Sequence, residues 1–471
     1  MCECEDESLL TFTQLQNLNS LKEKERMVKQ VKQLLQKTIK LPVSNATTRE
    51  KLSKLDRLTT RLTYGVMLFL DRIIENNITT IKKAEEFRKE IEEITGLPSA
   101  FAQACRDKAL WMYKSYKKQH KEWSKKVSKL EKAVERCREK HKRKKLKHKL
   151  YRLKKREPSL PSVNRKIPVM FDVRVGSIEF SYSAKEFKLW MRISTLEKHK
   201  RILIPLHSYA YAENHLKTWR IKSFQLVWRS KLKQYEVHVV VEKEVTCKPR
   251  QVVGIDLGLK RLVAAYVSED SRAILVEKSE HKQFFIQMRK LDNRISKLQR
   301  LGKIKALKKL RRKRKNFATD FRRKLAVEIA KLFDNAVVFI GLPKNIRTDK
   351  HYKGSGNKKL RKCINHWAFR EFAVVLQTEL LEHGNITIII NEHGSTHRCS
   401  VCGSKKVQIN DREFLCLSCG NRDDRDVNAS KNILKFGVAK LAKVLVRAGG
   451  AVNHPELWMM RLKPQNTETP R

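Results

Sequence analysis

The sequence predicts a multidomain α+β protein, and three changes in pattern along the chain support this prediction. Residues 47–156 carry the apolar spacing of amphipathic helices. Residues 167–245 change to short alternating strands, and from residue 251 onwards strands alternate with helical patterns. Two Cys-x-x-Cys pairs interrupt the last of these alternations. With 471 residues, of which 41% are hydrophobic, the chain can form two or three packed domains.

The net charge is +54, from 104 Lys and Arg against 50 Asp and Glu. Such self-repulsion is costly for a folded chain, and a polyanionic partner is the natural explanation. Neutralising many phosphates would give an affinity that falls steeply with salt. A generically basic protein of the ribosomal or histone type would be smaller and less apolar. We therefore expect the partner to be a nucleic acid.

The cysteines and the first residues bear on the compartment. Ten cysteines in 471 residues do not make a disulfide scaffold, and four of them fall in the paired motif, which is typical of a reducing compartment. The start, MCECEDESLL, is acidic and has no apolar core of a signal peptide. Apolar runs are too short to span a bilayer. We expect a protein that is not secreted and is soluble inside the cell.

The first part of the chain is predicted to be helical. Residues 1–36 begin acidic and continue as a Lys-rich helical pattern, so we expect a helical extension there. The short run Thr38–Pro42 looks like an isolated strand, and Ser44–Thr47 is a plausible helix start. A helical domain is expected over residues 47–160, interrupted at Gly96-Leu-Pro98.

Two runs of the sequence are almost purely basic. His141–Arg156 ends the predicted helical domain, and Lys303–Lys315 lies in a later helical pattern. The first run could be a solvated helix face, but its charge density favours phosphate contact or nuclear targeting. The second run is expected to hold RNA or an RNA–DNA hybrid by its backbone. The residues expected to bind nucleic acid are Arg143, Lys144, Lys145, Lys147, Arg152, Lys154, Lys155, Arg311, Arg312, Lys313 and Arg314.

Between Ile167 and Val245 the chain is predicted to form short strands. The segment WRSKLKQYEVHVVVEKE has two β runs around a polar turn, which indicates a hairpin. Regular short strands favour a small barrel or a sandwich. Tyr, Trp and Lys interleave along this region, which suits stacking and backbone contact with nucleic acid, although most of the aromatic residues are expected in the core.

From Gln251 onwards strands and helices alternate. The predicted strands are Gln251–Gly258, Leu262–Val267, Ala273–Lys278, Ala336–Ile340 and Ile386–Ile390. Two helices separate the third strand from the fourth, one helix separates the fourth from the fifth, and a last helix begins near Asp426. This is the element order of a ribonuclease-H-like α/β fold with a mixed sheet.

The paired cysteines predict a structural zinc site. Four thiolates, Cys399, Cys402, Cys416 and Cys419, match tetrahedral zinc ligation and leave no open position for catalysis. Gly403 and Gly420 follow the second cysteine of each pair, where a turn with positive φ is expected. His393 and His397 lie nearby, but four thiolates already complete the shell, so neither histidine is predicted to be a ligand.

Carboxylates at the ends of predicted elements suggest a second kind of metal site. Asp256 ends the first strand of the mixed sheet, and Asp426 opens the last helix. Asp426 could instead be an ordinary N-cap, a role that Asp423 or Asp424 could also take. In a ribonuclease-H-like fold Asp256 and Asp426 converge on one cleft. Clustered carboxylates repel unless cations neutralise them, and two Mg²⁺ ions could then hydrolyse a phosphodiester.

The third acid of such a site is expected from a central strand. The strand Ala336–Ile340 ends in Gly341-Leu-Pro and carries no acid, whereas Ile386–Ile390 ends in Asn391-Glu392. Glu392 is therefore the predicted third ligand. The alternative interpretation is that Glu392 is only a solvated residue just after the end of the strand.

These residues resemble a known family. The order of Asp256, Gly341-Leu-Pro, GSTHRCSVCG and CLSCGNRDDRDVNASKNI is similar to that of the TnpB nucleases of insertion sequences and their eukaryotic relatives, the Fanzor proteins. Miniature type V CRISPR effectors are more remotely similar. The resemblance implies a Mg²⁺-dependent RuvC nuclease that uses a transposon-encoded, omega-type guide RNA to cut double-stranded DNA beside a short motif.

The resemblance also implies a domain plan and site residues. It places a wedge β-barrel at 37–46 and 161–248, a helical recognition domain at 47–160, a split RuvC domain at 249–394 and 422–450, a zinc ribbon at 395–421 and a tail at 451–471. Asp256 matches the first catalytic acid and Asp426 the third.

The departure from the TnpB pattern is at Gly341, where TnpB proteins usually carry glutamate. Fanzor proteins commonly lack it there and place a glutamate just before the zinc ribbon, where Glu392 stands. This favours a Fanzor protein, nuclear if eukaryotic and otherwise cytoplasmic. The alternatives are a nuclease-inactive RNA-guided DNA-binding protein and a transposition accessory protein.

Overall fold

The computed structural model describes residues 31–181, 186–197, 199–343, 364 and 367–447. The chain divides into two compact units, one formed by Gln36–Lys243 and the other by the residues from Glu244 onwards together with those up to Leu35. Both units mix helices and strands, which confirms the multidomain α+β class. Within the described ranges, no helix is long and apolar enough to cross a membrane.

The first unit contains a group of helices. They are α1 (Arg49–Glu75), α2 (Ile81–Glu85), α3 (Arg88–Thr95), α4 (Ser99–Glu135) and α5 (Lys140–Lys154), with α6 (Ala210–Thr218) later in the chain. Thr48 caps α1 by accepting a hydrogen bond from the Lys51 amide. Gly96, at φ 65°, ends α3 in the left-handed conformation, and Pro98 starts the next helix, so the predicted interruption is confirmed.

The strands of this unit form two antiparallel sheets, which an isolated bridge between Val43 and Leu206 connects. They are β1 (Val31–Pro42), β2 (Met170–Asp172), β3 (Gly176–Phe180), β4 (Leu189–Ser194), β5 (Arg201–Leu206), β6 (Arg220–Arg229) and β7 (Gln234–Cys247). The sheet orders are β1-β7-β6-β2 and β3-β4-β5. The predicted β6–β7 hairpin is present. Closure of the predicted barrel is not found among the described residues, because the Val43–Leu206 bridge joins the β1 and β5 edges but β2 and β3 do not pair. The wedge β-barrel therefore stays a prediction.

The helical extension predicted for residues 1–36 is wrong over residues 31–36, which already belong to β1. The helical pattern placed Leu34 and Leu35 on one face, but Leu34 is 54% exposed and Leu35 is 4% exposed, as strand alternation requires. Residues 1–30 and the predicted tail 451–471 lie outside the described residues. The finer boundaries of the predicted wedge, recognition and RuvC segments stay predictions.

The second unit is built on a five-stranded mixed sheet. Its strands are β8 (Gln251–Asp256), β9 (Arg261–Val267), β10 (Ala273–Glu277), β11 (Ala336–Leu342) and β12 (Ile386–Asn391), and its helices are α7 (Lys282–Arg300), α8 (Ile304–Ala330), α9 (Phe369–Glu382) and α10 (Arg425–Arg447). The order is β10-β9-β8-β11-β12. The first three strands are antiparallel neighbours, and β8, β11 and β12 are parallel.

Helices cover both faces of this sheet, which is why its central strands are almost entirely apolar. Residues of α8 and α9 pack on the face that carries Val253 and Ile255. On the other face, α10 approaches the strands at glycines. A Cβ on Gly254 would lie 2.1 Å from the Ser430 carbonyl oxygen, and one on Gly437 would lie 2.1 Å from the Phe339 ring. These contacts fix where α10 begins relative to the strand ends.

A small three-stranded module is inserted between β12 and α10. Its strands are β13 (Val407–Asn410), β14 (Glu413–Cys416) and β15 (Arg422–Asp424), which pair antiparallel in chain order. Phe414, 1% exposed, packs with Cys399 and Cys416 in its small core. We call residues 395–424 the cysteine module.

Candidate functional site

The four predicted thiols form one cluster. Their sulfur atoms all lie within 4.8 Å of one another. The Sγ atoms of Cys399 and Cys419 are 3.7 Å apart, and those of Cys402 and Cys416 are 3.6 Å apart. A tetrahedron with metal–sulfur bonds of about 2.3 Å has sulfur–sulfur edges of about 3.8 Å, so the donor set fits zinc.

The two cysteine pairs have the same backbone geometry. Gly403 donates to the Cys399 carbonyl and Gly420 to the Cys416 carbonyl, each at 3.0 Å. The φ angles of these glycines are 77° and 69°, as predicted. His393 and His397 are exposed and do not belong to the sulfur cluster. The cluster therefore has four ligands and no open position, which suits a structural role.

Two buried asparagines, four residues apart on α10, tie the cysteine module to the helix. Asn428 donates to the Arg398 carbonyl at 2.8 Å and accepts from the Ser400 amide at 2.8 Å. Asn432 donates to the Ser395 and Arg398 carbonyls at 2.8 and 2.7 Å. Neither asparagine is predicted from the sequence to have a role, although their i, i+4 spacing places both on one helix face.

The structure brings the three predicted acids to one edge of the mixed sheet. Asp256 is the last residue of β8 and Glu392 directly follows β12. Both strands run parallel to β11 between them, so their carboxyl ends lie at the same edge. Asp426 is in the first turn of α10 and is 7% exposed.

The electrostatics show that these carboxylates influence one another. Burial raises the pKa of Asp256, and the charge of Asp426 raises it further, while the Arg425 charge acts in the opposite direction. Burial also raises the pKa of Glu392, and the charge of Asp256 adds to this effect. Within the described ranges, Oε2 of Glu392 is buried without a hydrogen-bond partner. The carboxylate oxygens are not gathered as tightly as the four sulfur atoms.

Neighbouring side chains occupy the space beside Gly341 on the middle strand. A Cβ on Gly341 would lie 2.5 Å from Cδ1 of Ile433 and 3.2 Å from Cβ of Glu392. The Glu392 side chain therefore starts directly beside position 341. A glutamate at 341 would have to displace Ile433, which is fully buried.

The N-cap of α10 is Asp424 and not Asp426. Its Oδ1 accepts from the amides of Asp426 and Val427 at 2.9 and 3.3 Å, so Asp424 satisfies the first amides of α10. Asp423 accepts instead from Lys431 Nζ at 2.7 Å. The carboxylate of Asp426 is thereby left for other partners.

Those partners are arginines, none of which is among the residues predicted from the sequence. Arg425 Nε donates to Oδ1 of Asp426 at 3.0 Å, and Arg412 Nη1 donates to Oδ2. Arg261 Nη1 lies 3.7 Å from Oδ2. The only signal in the sequence is the alternation of charge in Arg422–Asp426. Positive and negative groups thus meet at the edge where the three acids lie, which suits a phosphodiester substrate.

The basic residues predicted to bind nucleic acid are exposed, apart from the half-buried Arg314. Helix α5, which carries six of them and has Lys155 as its C-cap, has no buried residue. It is held to α4 by Trp123 Nε1, which donates to the Leu153 carbonyl at 2.9 Å, and by a 2.7 Å ion pair between Lys154 and Glu131. Arg314 pairs with Asp292 at 2.6 Å, so its first role is to join α8 to α7.

Two family models match this chain. The "Cas12f1-like, TNB domain" family matches residues 369–433, which include Glu392, the four cysteines and Asp426. The "Probable transposase" family OrfB_IS605 matches residues 234–339, which include Asp256. The acids and the cysteine module therefore fall within the matched segments.

Curated relatives agree with these matches. The TnpB-like protein MJ0012 of Methanocaldococcus jannaschii is 30% identical over 152 residues, which are 32% of this chain and 67% of that protein. The TnpB-like protein L79 of Acanthamoeba polyphaga mimivirus is 26% identical over 230 residues, 46% of this chain and 44% of that protein. A Streptomyces pristinaespiralis protein, named as a candidate RNA-guided DNA endonuclease, is 26% identical over 226 residues, 46% of this chain and 53% of that protein.

The segments that match the two family models contain the acids at the edge of the mixed sheet and the inserted cysteine module. The extent of the match to the Methanocaldococcus relative then shows that the chain belongs to the TnpB-like family. It spans less than half the length of the mimivirus relatives that it matches. Among solved structures, a Cas12f1–sgRNA–target DNA complex gives a TM-score of 0.45 at 14% identity, covering 85% of this chain and 99% of that chain.

Proposed function

We propose that this chain is a transposon-associated, RNA-guided DNA endonuclease of the RuvC type. The observation that carries the proposal is the meeting of Asp256, Glu392 and Asp426 at one sheet edge, where burial and mutual repulsion raise the pKa values of the first two. The strand order β10-β9-β8-β11-β12 is that of a ribonuclease-H-like domain. The name of the Streptomyces relative supports the RNA-guided activity.

The three acids fit divalent magnesium. Their oxygens are the hard ligands that Mg²⁺ prefers, and the unpartnered Oε2 of Glu392 is a buried atom that a cation would satisfy. Asp256, Glu392 and Asp426 would hold the metal, most simply as two ions. When bound, the metal would activate a water molecule and stabilise the leaving oxygen of a phosphodiester.

The chain's own residues supply the rest of the function. The exposed basic side chains of α5 and α8 would hold guide RNA or the RNA–DNA hybrid by its backbone, while base pairing selects the sequence of the double-stranded DNA target. Arg261, Arg412 and Arg425 place positive charge beside the acids, where a scissile phosphate would enter. The cysteine module, with zinc bound, would fix the distance between Glu392 and Asp426 along the chain.

The glycine at position 341, with Glu392 filling the space beside it, supports a Fanzor-like variant within the family. The same departure supports the alternative of a nuclease-inactive RNA-guided DNA-binding protein. Both share the guide RNA, and only the first cuts DNA.

Sequencing of RNA that copurifies with the protein tests the guide. We expect one discrete RNA whose 5′ or 3′ part is constant and whose other end pairs with the DNA that is bound. A population of unselected cellular RNA, with no enriched species, would contradict the RNA-guided mechanism. Cleavage itself is tested by the Glu392 substitution described in the Discussion.

A stability measurement tests the electrostatics of the acids without guide or target. In EDTA, the folded protein keeps a proton on Glu392 at a pH where the unfolded chain has lost it, because the folded pKa is raised. Stability should therefore fall as the pH rises above the ordinary glutamate pKa of about 4.3 towards neutrality and beyond. Glu392→Gln should remove part of this fall and be more stable than wild type at about pH 8, by roughly 1–2 kcal/mol, with little difference at about pH 4.

Urea unfolding at the two pH values provides the measurement, and Glu413→Gln, at an exposed position of the cysteine module, is the matched control. A Glu392→Gln protein that gains no stability at the higher pH would show that Glu392 is not electrostatically strained.

A further inference from the structure

The turn between β13 and β14 reaches from the cysteine module to the first residues of α10. The Arg425 amide donates to the Arg412 carbonyl at 2.7 Å, and Arg425 Nη1 donates to the Asp411 carbonyl at 2.8 Å. Lys260 Nζ forms a 3.2 Å ion pair with Asp411. Three contacts thus hold the turn in place, and they set the Arg412 side chain beside Asp426.

Guanidinium groups engage both oxygens of Asp426. Arg425 donates to Oδ1 through Nε and lies 2.9 Å from it through Nη2, while Arg412 donates to Oδ2. This is not an exposed pair of the kind that contributes little, because the side chains of Arg412 and Asp426 are 21% and 11% exposed. A divalent cation that uses Asp426 must compete with these groups.

Of the arginines around Asp426, Arg412 is the one free to exchange its partner. Arg425 is tied to the turn through its amide and Nη1, and Arg261 is tied to Asp424 and Glu277 by ion pairs of 2.5 Å each. Among the described residues, Asp426 is the carboxylate that the Arg412 side chain contacts. Its guanidinium can therefore leave without breaking any other ion pair.

We infer that Arg412 is a positioning residue that holds Asp426 until a nucleic-acid phosphate takes over its guanidinium. Guanidinium binds phosphate and carboxylate with the same two-pronged geometry, so the exchange keeps Arg412 paired and releases Oδ2 of Asp426. Substrate binding would then raise the affinity of the acids for a divalent cation, and the cation would raise the affinity for substrate by the same factor. This inference rests on the proposed function, because it uses the acids as metal ligands.

The exchange also gives the cysteine module a role beyond rigidity. Strand β13 ends at Asn410 and β14 begins at Glu413, so Arg412 lies in the two-residue turn between them. The position of this turn would depend on the sulfur cluster. When no phosphate is present, the guanidinium of Arg412 would neutralise the charge on Asp426. Binding of a divalent cation would then be favoured only when substrate is bound beside the acids.

Binding of Mn²⁺ to the full-length protein, measured by electron paramagnetic resonance, tests the inference. Without nucleic acid, Arg412→Gln should bind Mn²⁺ about 10-fold more tightly than wild type, because an internal competitor has been removed. A phosphorothioate DNA strand that resists cleavage should tighten Mn²⁺ binding to wild type by a similar factor and change Arg412→Gln little. Arg412→Lys, which keeps the charge but loses the two-pronged geometry, should fall between the two.

The control is Arg422→Gln, an exposed arginine of the same module at the start of β15, which should behave as wild type. Zinc content and thermal midpoint are measured for every variant, and if Arg412→Gln loses zinc, the comparison with Arg412→Lys decides. Equal or weaker Mn²⁺ binding by a zinc-loaded Arg412 variant, or equal tightening by DNA in wild type and variant, would overturn the inference.

Asp426→Asn separates this inference from the proposed function. If Asp426→Asn leaves Mn²⁺ binding unchanged, the acids are not the metal site and the proposed function fails. If Asp426→Asn weakens Mn²⁺ binding and Arg412→Gln has no effect, the metal site stands and only the exchange of Arg412 is wrong.

Discussion

Glu392→Gln protein, assembled with its guide RNA and given Mg²⁺ and a matching DNA target, is expected to cleave at least about 10³-fold more slowly than wild type, a rise of roughly 4 kcal/mol in the barrier. The substitution removes one carboxylate oxygen from the proposed metal ligands and leaves the size of the side chain unchanged. Target binding should persist, because base pairing and backbone contacts hold the target.

The measurement is single-turnover cleavage of a labelled duplex, with target binding followed by filter retention. Glu413→Gln is the matched control, because it makes the same chemical change at an exposed position on β14. Cleavage by Glu392→Gln at the wild-type rate would refute the three-acid site. Wild-type protein that binds the target but never cuts it would instead support the nuclease-inactive alternative.

The surroundings of Gly341 bear on the expectation that Glu392 is the third acid. A Cβ at position 341 would lie 2.5 Å from Cδ1 of the buried Ile433, so a side chain there would require the end of Ile433 to shift. Strand β11 carries no carboxylate of its own, so the proposed third acid comes from the end of β12.

Cys416→Ser is expected to cause the second large loss. Cys416 is completely buried, and its sulfur lies 3.6 Å from that of Cys402, so the substitution removes one of the four sulfur atoms of the cluster. Structural zinc in small modules contributes about 10 kcal/mol or more to folding, so the module should unfold locally. Cleavage should then fall at least about 10²-fold, because Arg412 and the start of α10 lose their support.

Zinc content by mass spectrometry and limited proteolysis between residues 395 and 424 provide the measurements. Cys137→Ser, a cysteine outside the cluster, is the control and should keep both zinc and protease resistance. A Cys416→Ser protein that has lost zinc but still cuts at the wild-type rate would show that the module does not support the acids.

The sequence determined the parts of the site that depend on local spacing. Two Cys-x-x-Cys pairs with a glycine after each specify the knuckle geometry wherever they occur, and the structure gathers those four sulfurs as expected. The strand ends at Asp256 and Glu392 were also readable, because continuous apolar runs stop there. The mixed sheet followed from the order of these runs.

Elements that depend on distant partners could not be read in this way. Residues 31–36 of the predicted helical extension form a strand because β1 pairs in a sheet with β7, a segment about two hundred residues away, and tertiary pairing overrides local propensity. Closure of the predicted barrel could not be read for the same reason, because alternation indicates strands but not which edges pair.

Only the tertiary structure decided the roles around Glu392 and Asp426. It showed that Asp424 caps α10 and leaves Asp426 to the arginines, and that Glu392 fills the space beside Gly341. The sequence shows which charged residues are present. The close packing of α10 on the sheet determines which of these charged residues contact one another. The sequence thus determined the ligands of the cysteine cluster, and the packing of one helix on its strands decided the partners of the acids.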